Sequence, residues 1–378
     1  MPFYRDTYIE IDLDAVYQNA VNIRSHLGRN LAVIGVVKAD AYGHGAVMVA
    51  RTLVEAGVGH FAVATIDEAI ELRSNGITQP ILIFGSVDVK DLDVVAAYDL
   101  TVTAFSYAWL LKALAAPWKK PIAIQIKIDT GMNRLGIIDT DEFHQAVDLI
   151  RGHDGFRLTG IYSHLATAEE TDECYYEMQI ARFQDLLATI DLTGLDIHIA
   201  NSAGSTKAPP PCVTMIRIGL FLNGISPAKT LALPFSLKPS LGLYTKIIQV
   251  KKVPAHTRIS YNGIYETTKE TIIATLPIGY ADGYDRRLKN GRIYLNGHYA
   301  TVVGRVCMDY TMAELAEPVE PGTRVELIGP HLPLEEYCER IQTNNYHATC
   351  ALTDRLPRVY RRHGAVVAVV NRRIGGKI

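Results

Sequence analysis

The chain has 378 residues, 48% of them apolar and 21% charged, with a formal charge of -2. That length exceeds what one core usually supports and predicts two domains. The near-neutral balance excludes the electrostatic footprint of a nucleic-acid binder, and the late basic cluster from Arg358 to Arg362 reads as a solvated face.

The opening stretch "MPFYRDTYIEIDLDAVYQ" carries charges too early for a secretory signal, and no apolar run reaches a membrane span. Five scattered cysteines suit a reducing compartment, so a cytoplasmic protein without membrane contact is expected. Short apolar runs then alternate with helix-like stretches. The strand candidates are 31–38, 60–65, 80–85, 100–105, 121–129, 156–164, 195–201 and 212–219. Their continuous apolar character predicts parallel strands covered on both faces. Between them, "TIDEAIELRSNG" (65–76) begins with a threonine cap, has acids in its first turn and stops at glycine. "DTDEFHQAVDLIRGHDG" and "ECYYEMQIARFQDLLATID" behave similarly.

Eight such strands predict an α/β fold with a closed (β/α)8 TIM-type barrel, here assigned to residues 1–235. From residue 236 to 378, β-rich runs broken by Gly, Pro and Asn predict a mostly β C-terminal domain with little helix. Residues 1–11, within which the run "YIEIDL" (8–13) begins, are not needed by the barrel and are offered to the second domain as a strand.

Lys38, Asp129, His164, Asn201 and Arg217 all fall at or just beyond the ends of apolar runs, which a barrel gathers around one mouth. Lys38, in "VVKADAYGHG", serves equally as a desolvated amine that forms a Schiff base or as a lysine reaching to solvent. An aldehyde cofactor would also need a phosphate cradle and a partner for its ring nitrogen. "MIRIGLFLNG" offers backbone N–H groups at Gly219 and Leu220 and the guanidinium of Arg217. "IANSAG" adds Asn201 and Ser202, the latter equally a loop cap. In "KIDTGMNRLG", Arg134 is a carboxylate clamp or a surface ion-pair partner, with Lys127 close in sequence. His164 is a catalytic or merely satisfied histidine. The second domain offers Tyr261, Tyr280, Met308 and Asp309. No spacing suits a metal site, and neither GxxxxGK[ST] nor a strand leading into GxGxxG occurs.

Taken together and in order, "VVKADAYGHG", "DTGMNRLG", "ANSAG", "IRIGL", "LPIGYADGY" and "GRVCMD" resemble the alanine racemases, enzymes that use pyridoxal 5'-phosphate. The resemblance implies a homodimer whose active sites are completed by the partner's β domain, a small amino-acid substrate, and D-alanine made for peptidoglycan. It implies that Lys38 holds the cofactor and that Tyr261, from the other subunit, is the second acid/base acting at Cα of the substrate's imine with the cofactor. Arg217 would face the pyridine nitrogen and His164 would link it to Tyr261. Tyr42, Ser202, Gly219, Leu220 and Tyr346 would bind phosphate. Arg134 and the Met308 backbone would engage the substrate carboxylate, while Asp309 and Tyr280 would wall the channel. Lys127 matches a lysine often carbamylated in that family.

One departure is Asn262 where the family usually has glycine, and asparagine tolerates the left-handed backbone such a turn needs. Competing readings are a serine or broader-specificity racemase, a barrel-type amino-acid decarboxylase, a non-catalytic cofactor carrier and a cofactor-free sugar-phosphate lyase.

Overall fold

A computed structural model describes residues 4–28, 31–118 and 120–375. They divide into two compact units: Val16–Ala41 with Ala46–Lys238, and the chain up to Ala15 with Tyr42–Gly45 and the chain from Pro239 onward. The second unit thus reclaims a short piece of the chain just beyond Lys38.

The strands in chain order are β1 (Tyr8–Asp12), β2 (Ala32–Val36), β3 (His60–Val63), β4 (Ile81–Ile83), β5 (Thr101–Ala104), β6 (Ile122–Lys127), β7 (Phe156–Tyr162), β8 (Asp196–His198) and β9 (Met215–Ile218). In the first unit β2–β9 form one parallel sheet of order β8-β7-β6-β5-β4-β3-β2-β9. Its two ends meet: Thr214 N donates to Ile197 O at 2.9 Å and Arg217 N to Ala200 O at 3.2 Å, closing the barrel. Each strand sits inside one of the eight apolar runs, because a barrel strand is buried against side chains inside and helices outside. Ile124, Ile126, Ile161 and Ile216 are fully buried.

The helices start where their sequences say. Thr65 caps the helix Ile66–Ser74 in a capping box with Glu68, and Asp139 caps Thr140–Arg151.

The second unit continues with β10 (Leu241–Lys246), β11 (Gln249–Val253), β12 (Arg258–Ile259), β13 (Tyr265–Glu266), β14 (Thr271–Leu276), β15 (Arg292–Leu295), β16 (His298–Val303), β17 (Thr311–Leu315), β18 (Arg324–Ile328), β19 (Arg358–Arg362) and β20 (Ala365–Val370). Ten of its strands form a sheet of order β11-β14-β17-β16-β15-β18-β10-β1-β19-β20, in which β1 runs antiparallel to β10 and parallel to β19. Two helices, Leu334–Ile341 and Asn345–Cys350, interrupt what the sequence presents as a helix-poor region.

The basic cluster needs correcting. Arg358 is not part of a solvated face but is 5% exposed in β19, where its guanidinium donates to the carbonyls of Leu352, Thr353 and Leu356 at 2.9–3.0 Å. Enough carbonyls turned inward make a buried arginine tolerable.

Candidate active site

In the barrel unit, Lys38 lies two residues beyond the end of β2 and opens a turn with four successive non-glycine residues at positive φ, unlike any other among the described residues. Ala39, Asp40, Ala41 and Tyr42 have φ between 51° and 57°, a left-handed turn built without glycine. Such backbone costs about 1–2 kcal/mol per residue and persists only when its surroundings impose it. The barrel's share of those surroundings can be named. Glu68 Oε1 accepts from Ala39 N at 2.7 Å, Asp40 Oδ1 accepts from Ala46 N at 2.8 Å, and Asn223 Nδ2 donates to Ala41 O at 3.1 Å.

Arg217, on β9, is 3% exposed. Its Nη1 donates to His198 Nδ1 at 2.7 Å, and its Nη2 donates to His164 Nδ1 at 3.1 Å and to the carbonyls of Ser163 and Ile199, both at 2.8 Å. A guanidinium only donates, so both histidines accept at Nδ1 and, when neutral, carry their proton on Nε2. Burial, then the positive charges of Arg217, Lys127, Arg134 and Lys38, hold His164 well below its ordinary pKa. Four cations thus disfavour a charge on this one imidazole, Arg217 by direct contact. Tyr162 stacks on His198 with ring centres 4.8 Å apart, and its hydroxyl meets Thr103 Oγ1 at 2.7 Å.

Lys127, at the end of β6, is 4% exposed and its Nζ has no hydrogen-bond partner. Burial and then Arg217 push its pKa down to about 8, with Arg134 adding to the shift and Asp129 opposing it. Asp129 itself organises the next loop. Its carboxylate accepts N–H groups from Gly131, Asn133 and Arg134 at 2.9–3.0 Å, fixing the backbone from which the exposed Arg134 extends.

Gly219 N donates to Ser202 Oγ at 3.1 Å, which joins the end of β9 to the "ANSAG" loop and leaves the hydroxyl proton for an outside acceptor. The tight turn Leu220–Asn223 begins there. Asn201 faces inward: its Oδ1 accepts from Gly204 N at 2.9 Å, a loop-shaping role.

The second unit holds the other candidates. Tyr261 is 60% exposed and stands on a constrained loop, with Ser260 at φ 65°, ψ -173° and Asn262 at φ 62°, ψ 4°. Asparagine thus occupies the left-handed position expected of it. Ser260 Oγ donates to Arg305 O at 2.6 Å, while Tyr280 N donates to Cys307 O at 3.0 Å and Ala281 N to Met308 O at 3.1 Å. The segment 305–309 thereby connects the loops of Tyr261 and Tyr280. Met308 is exposed, and Asp309 is paired with Arg355 at 2.7 Å. Tyr42 and Tyr346 belong to this same unit. Gly43 has φ 85° and lies against the helix that carries Tyr346, where a Cβ would come within 2.3 Å of Thr349 O. Gly45 is likewise required, since a Cβ there would meet the Tyr360 hydroxyl at 1.7 Å.

Three participants escape the sequence reading. Gln125, whose Oε1 accepts from His198 Nε2 at 2.9 Å, and His198 itself lie inside strands with no motif to mark them. Glu68 carries a visible signal, the T-x-x-E capping box, but its bond to Ala39 comes from tertiary folding.

Comparison with known proteins bears on the chain as a whole. The sequence model of the alanine racemase N-terminal domain matches residues 11–227 and that of the alanine racemase C-terminal domain matches residues 240–360. The chain is 39% identical over 378 residues to an alanine racemase of Geobacillus stearothermophilus, covering 98% of this chain and 97% of the relative. It is 37% identical over 376 residues to alanine racemase 1 of Bacillus subtilis, with the same coverage. A crystal structure of alanine racemase from Bacillus anthracis with bound L-Ala-P superposes with a TM-score of 0.94 at 38% identity, covering 99% of this chain and 100% of that one. No helix among the described residues is long and apolar enough to cross a membrane. With both domain models and near-complete relatives in agreement, the chain belongs to the alanine racemase family.

Proposed function

We propose that the protein interconverts L-alanine and D-alanine with pyridoxal 5'-phosphate held on Lys38, works as a homodimer, and supplies D-alanine for peptidoglycan. The donor set fits that cofactor. Lys38 offers an amine for the aldehyde, Ser202 and the turn beginning at Gly219 offer phosphate donors, and Arg217 offers a buried planar cation for the ring nitrogen. When bound, the cofactor supplies the electron sink that loosens the substrate's Cα–H bond.

The chain's own groups do the rest. Inversion needs a proton taken from one face and returned on the other. Lys38 holds that proton at Nζ on one face, and the hydroxyl of Tyr261 of the partner subunit serves the other, each transfer worth about 10²–10⁴-fold in rate. Arg217 donates without giving up its proton, because a guanidinium stays charged in a folded protein. His164, accepting from Arg217 at Nδ1, presents an Nε2–H outward and extends the network toward the tyrosine. Arg134 and the Met308 backbone orient the substrate carboxylate. Lys127, a buried amine between two arginines, suits carbamylation, which would place negative charge where cations crowd.

The observation that carries this reading is the Arg217 guanidinium fixed between two imidazole acceptors, a cation at the barrel mouth with no proton to release. The test is incubation of the holoenzyme with L-alanine, L-serine and larger L-amino acids in heavy water, followed by chiral chromatography. D-alanine with deuterium at Cα is expected, and serine more slowly. Release of carbon dioxide without D-alanine would instead support a decarboxylase.

A further inference from the structure

The barrel has polar chemistry at its other end as well. A cavity of about 320 Å³ opens among the first residues of the strands, lined by His60, Thr101, Gln125, Arg157, Asp196 and Met215 among others. From it a hydrogen-bond chain runs through the barrel interior. Gln125 Nε2 donates to Asp196 Oδ2 at 3.4 Å, His198 Nε2 donates to Gln125 Oε1 at 2.9 Å, and Arg217 Nη1 donates to His198 Nδ1 at 2.7 Å. We infer that Asp196, at the far end of the barrel from the reacting amine, is a positioning residue that sets the direction of this chain and so fixes Arg217. The inference deepens the racemase reading and rests on it for the part Arg217 plays.

The logic is one of donors and acceptors. A carboxylate only accepts, so it draws the Gln125 amide nitrogen toward itself and turns the amide oxygen to His198. His198 must then carry its proton on Nε2 and accept at Nδ1. The reversed chain would put an Nδ1–H against an Arg217 N–H at 2.7 Å, two donors facing each other. Asp196 and Arg217 therefore favour the same direction from the two ends of the chain, and without the carboxylate the Gln125 amide is free to turn, present its nitrogen to His198 and compete with the guanidinium for the imidazole. Gln125 and His198 are both buried, so no water shell averages the alternatives. Burial raises the Asp196 pKa while His60, on β3, opposes the shift, and Arg157 on β7 is the other charged group lining the cavity.

The test reads the His198 tautomer by nitrogen NMR of the holoenzyme labelled with ¹⁵N-histidine. The unmodified protein should show His198 protonated on Nε2 alone. Asp196→Leu, and independently the volume-matched Gln125→Met, should add an Nδ1-protonated population and lower kcat about tenfold at little-changed KM. Asp196→Asn, which keeps an acceptor oxygen, should restore the single tautomer, and Arg157→Gln, in the same cavity but outside the chain, should change neither readout. A single Nε2-protonated His198 in both Asp196→Leu and Gln125→Met overturns the proposal. The tautomer is read without turnover, so it reports on the chain even if the protein fails to racemise alanine.

Discussion

Lys127 is an amine buried beside two arginines with no hydrogen-bond acceptor, an arrangement that weakens the fold unless its charge is removed. The unfolded chain holds the proton up to 10.5, whereas the folded amine releases it through about 8. Between those values the unfolded state binds more protons, so stability rises with pH there; below about 8 the full penalty is present. In buffer stripped of carbon dioxide, Lys127→Met should therefore raise stability by up to about 3 kcal/mol at pH 7, with the gain shrinking toward pH 10. Bicarbonate should stabilise the unmodified protein but not the variant. Thermal unfolding across that pH range checks this, and a constant difference would remove the argument. Arg217 makes the opposite case, a buried charge whose two terminal nitrogens both find acceptors. Arg217→Glu puts an exchangeable proton among acceptors that expect a fixed cation. Racemisation should slow by about 10²–10³-fold, with transamination rising relative to racemisation in the product mixture. Unchanged product ratios would mean that the arginine does not govern fidelity.

At the scale of elements, the left-handed turn after Lys38 depends on the helix Ile66–Ser74, because Glu68 both closes the capping box and holds Ala39 N. The two roles can be separated. Thr65→Ala removes the cap alone and should cost about 1 kcal/mol in stability with cofactor affinity unchanged. Glu68→Ala removes both, and should also weaken pyridoxal phosphate binding by about 10- to 100-fold, the worth of a hydrogen bond to a charged group. Titration of the apoenzyme by absorbance distinguishes them, and equal affinities in the two variants would sink the link. The same helix shows where sequence reading succeeds and where it stops. Its cap and its acidic first turn are local signals, as are the eight apolar runs, since a strand covered on both faces must be apolar throughout. The left-handed turn is not local. Nothing in "KADAY" foretells four positive φ angles, because those residues are held by groups distant in sequence. Gln125 and His198 are equally hidden, being polar residues in strands whose pattern reads only as core. Arg358 is hidden in the same way, because a charge in a basic run signals solvent unless folded carbonyls turn to meet it.

At the scale of the molecule, the candidate groups are shared between two units. The barrel carries Lys38, His164 and Arg217, and the β unit carries Tyr42, Tyr261, Met308 and Tyr346. Tyr261 and Met308 are 60% and 53% exposed, an unusual state for groups offered as catalytic and substrate-binding. The proposed two-fold dimer would resolve the difficulty, because an isologous interface would let each subunit lend its β unit to the other's barrel. Subunit mixing tests that arrangement. Lys38→Ala and Tyr261→Ala should each be inactive as homodimers. After the two are mixed and their subunits exchanged, about half the dimers are mixed, and each mixed dimer has one site with both defects and one with neither. Activity should therefore return to about a quarter of the unmodified enzyme's, since half the sites in half the dimers are intact. If Tyr261 instead served the barrel of its own chain, every site in every mixed dimer would carry one defect, and no activity would return however completely the subunits exchanged.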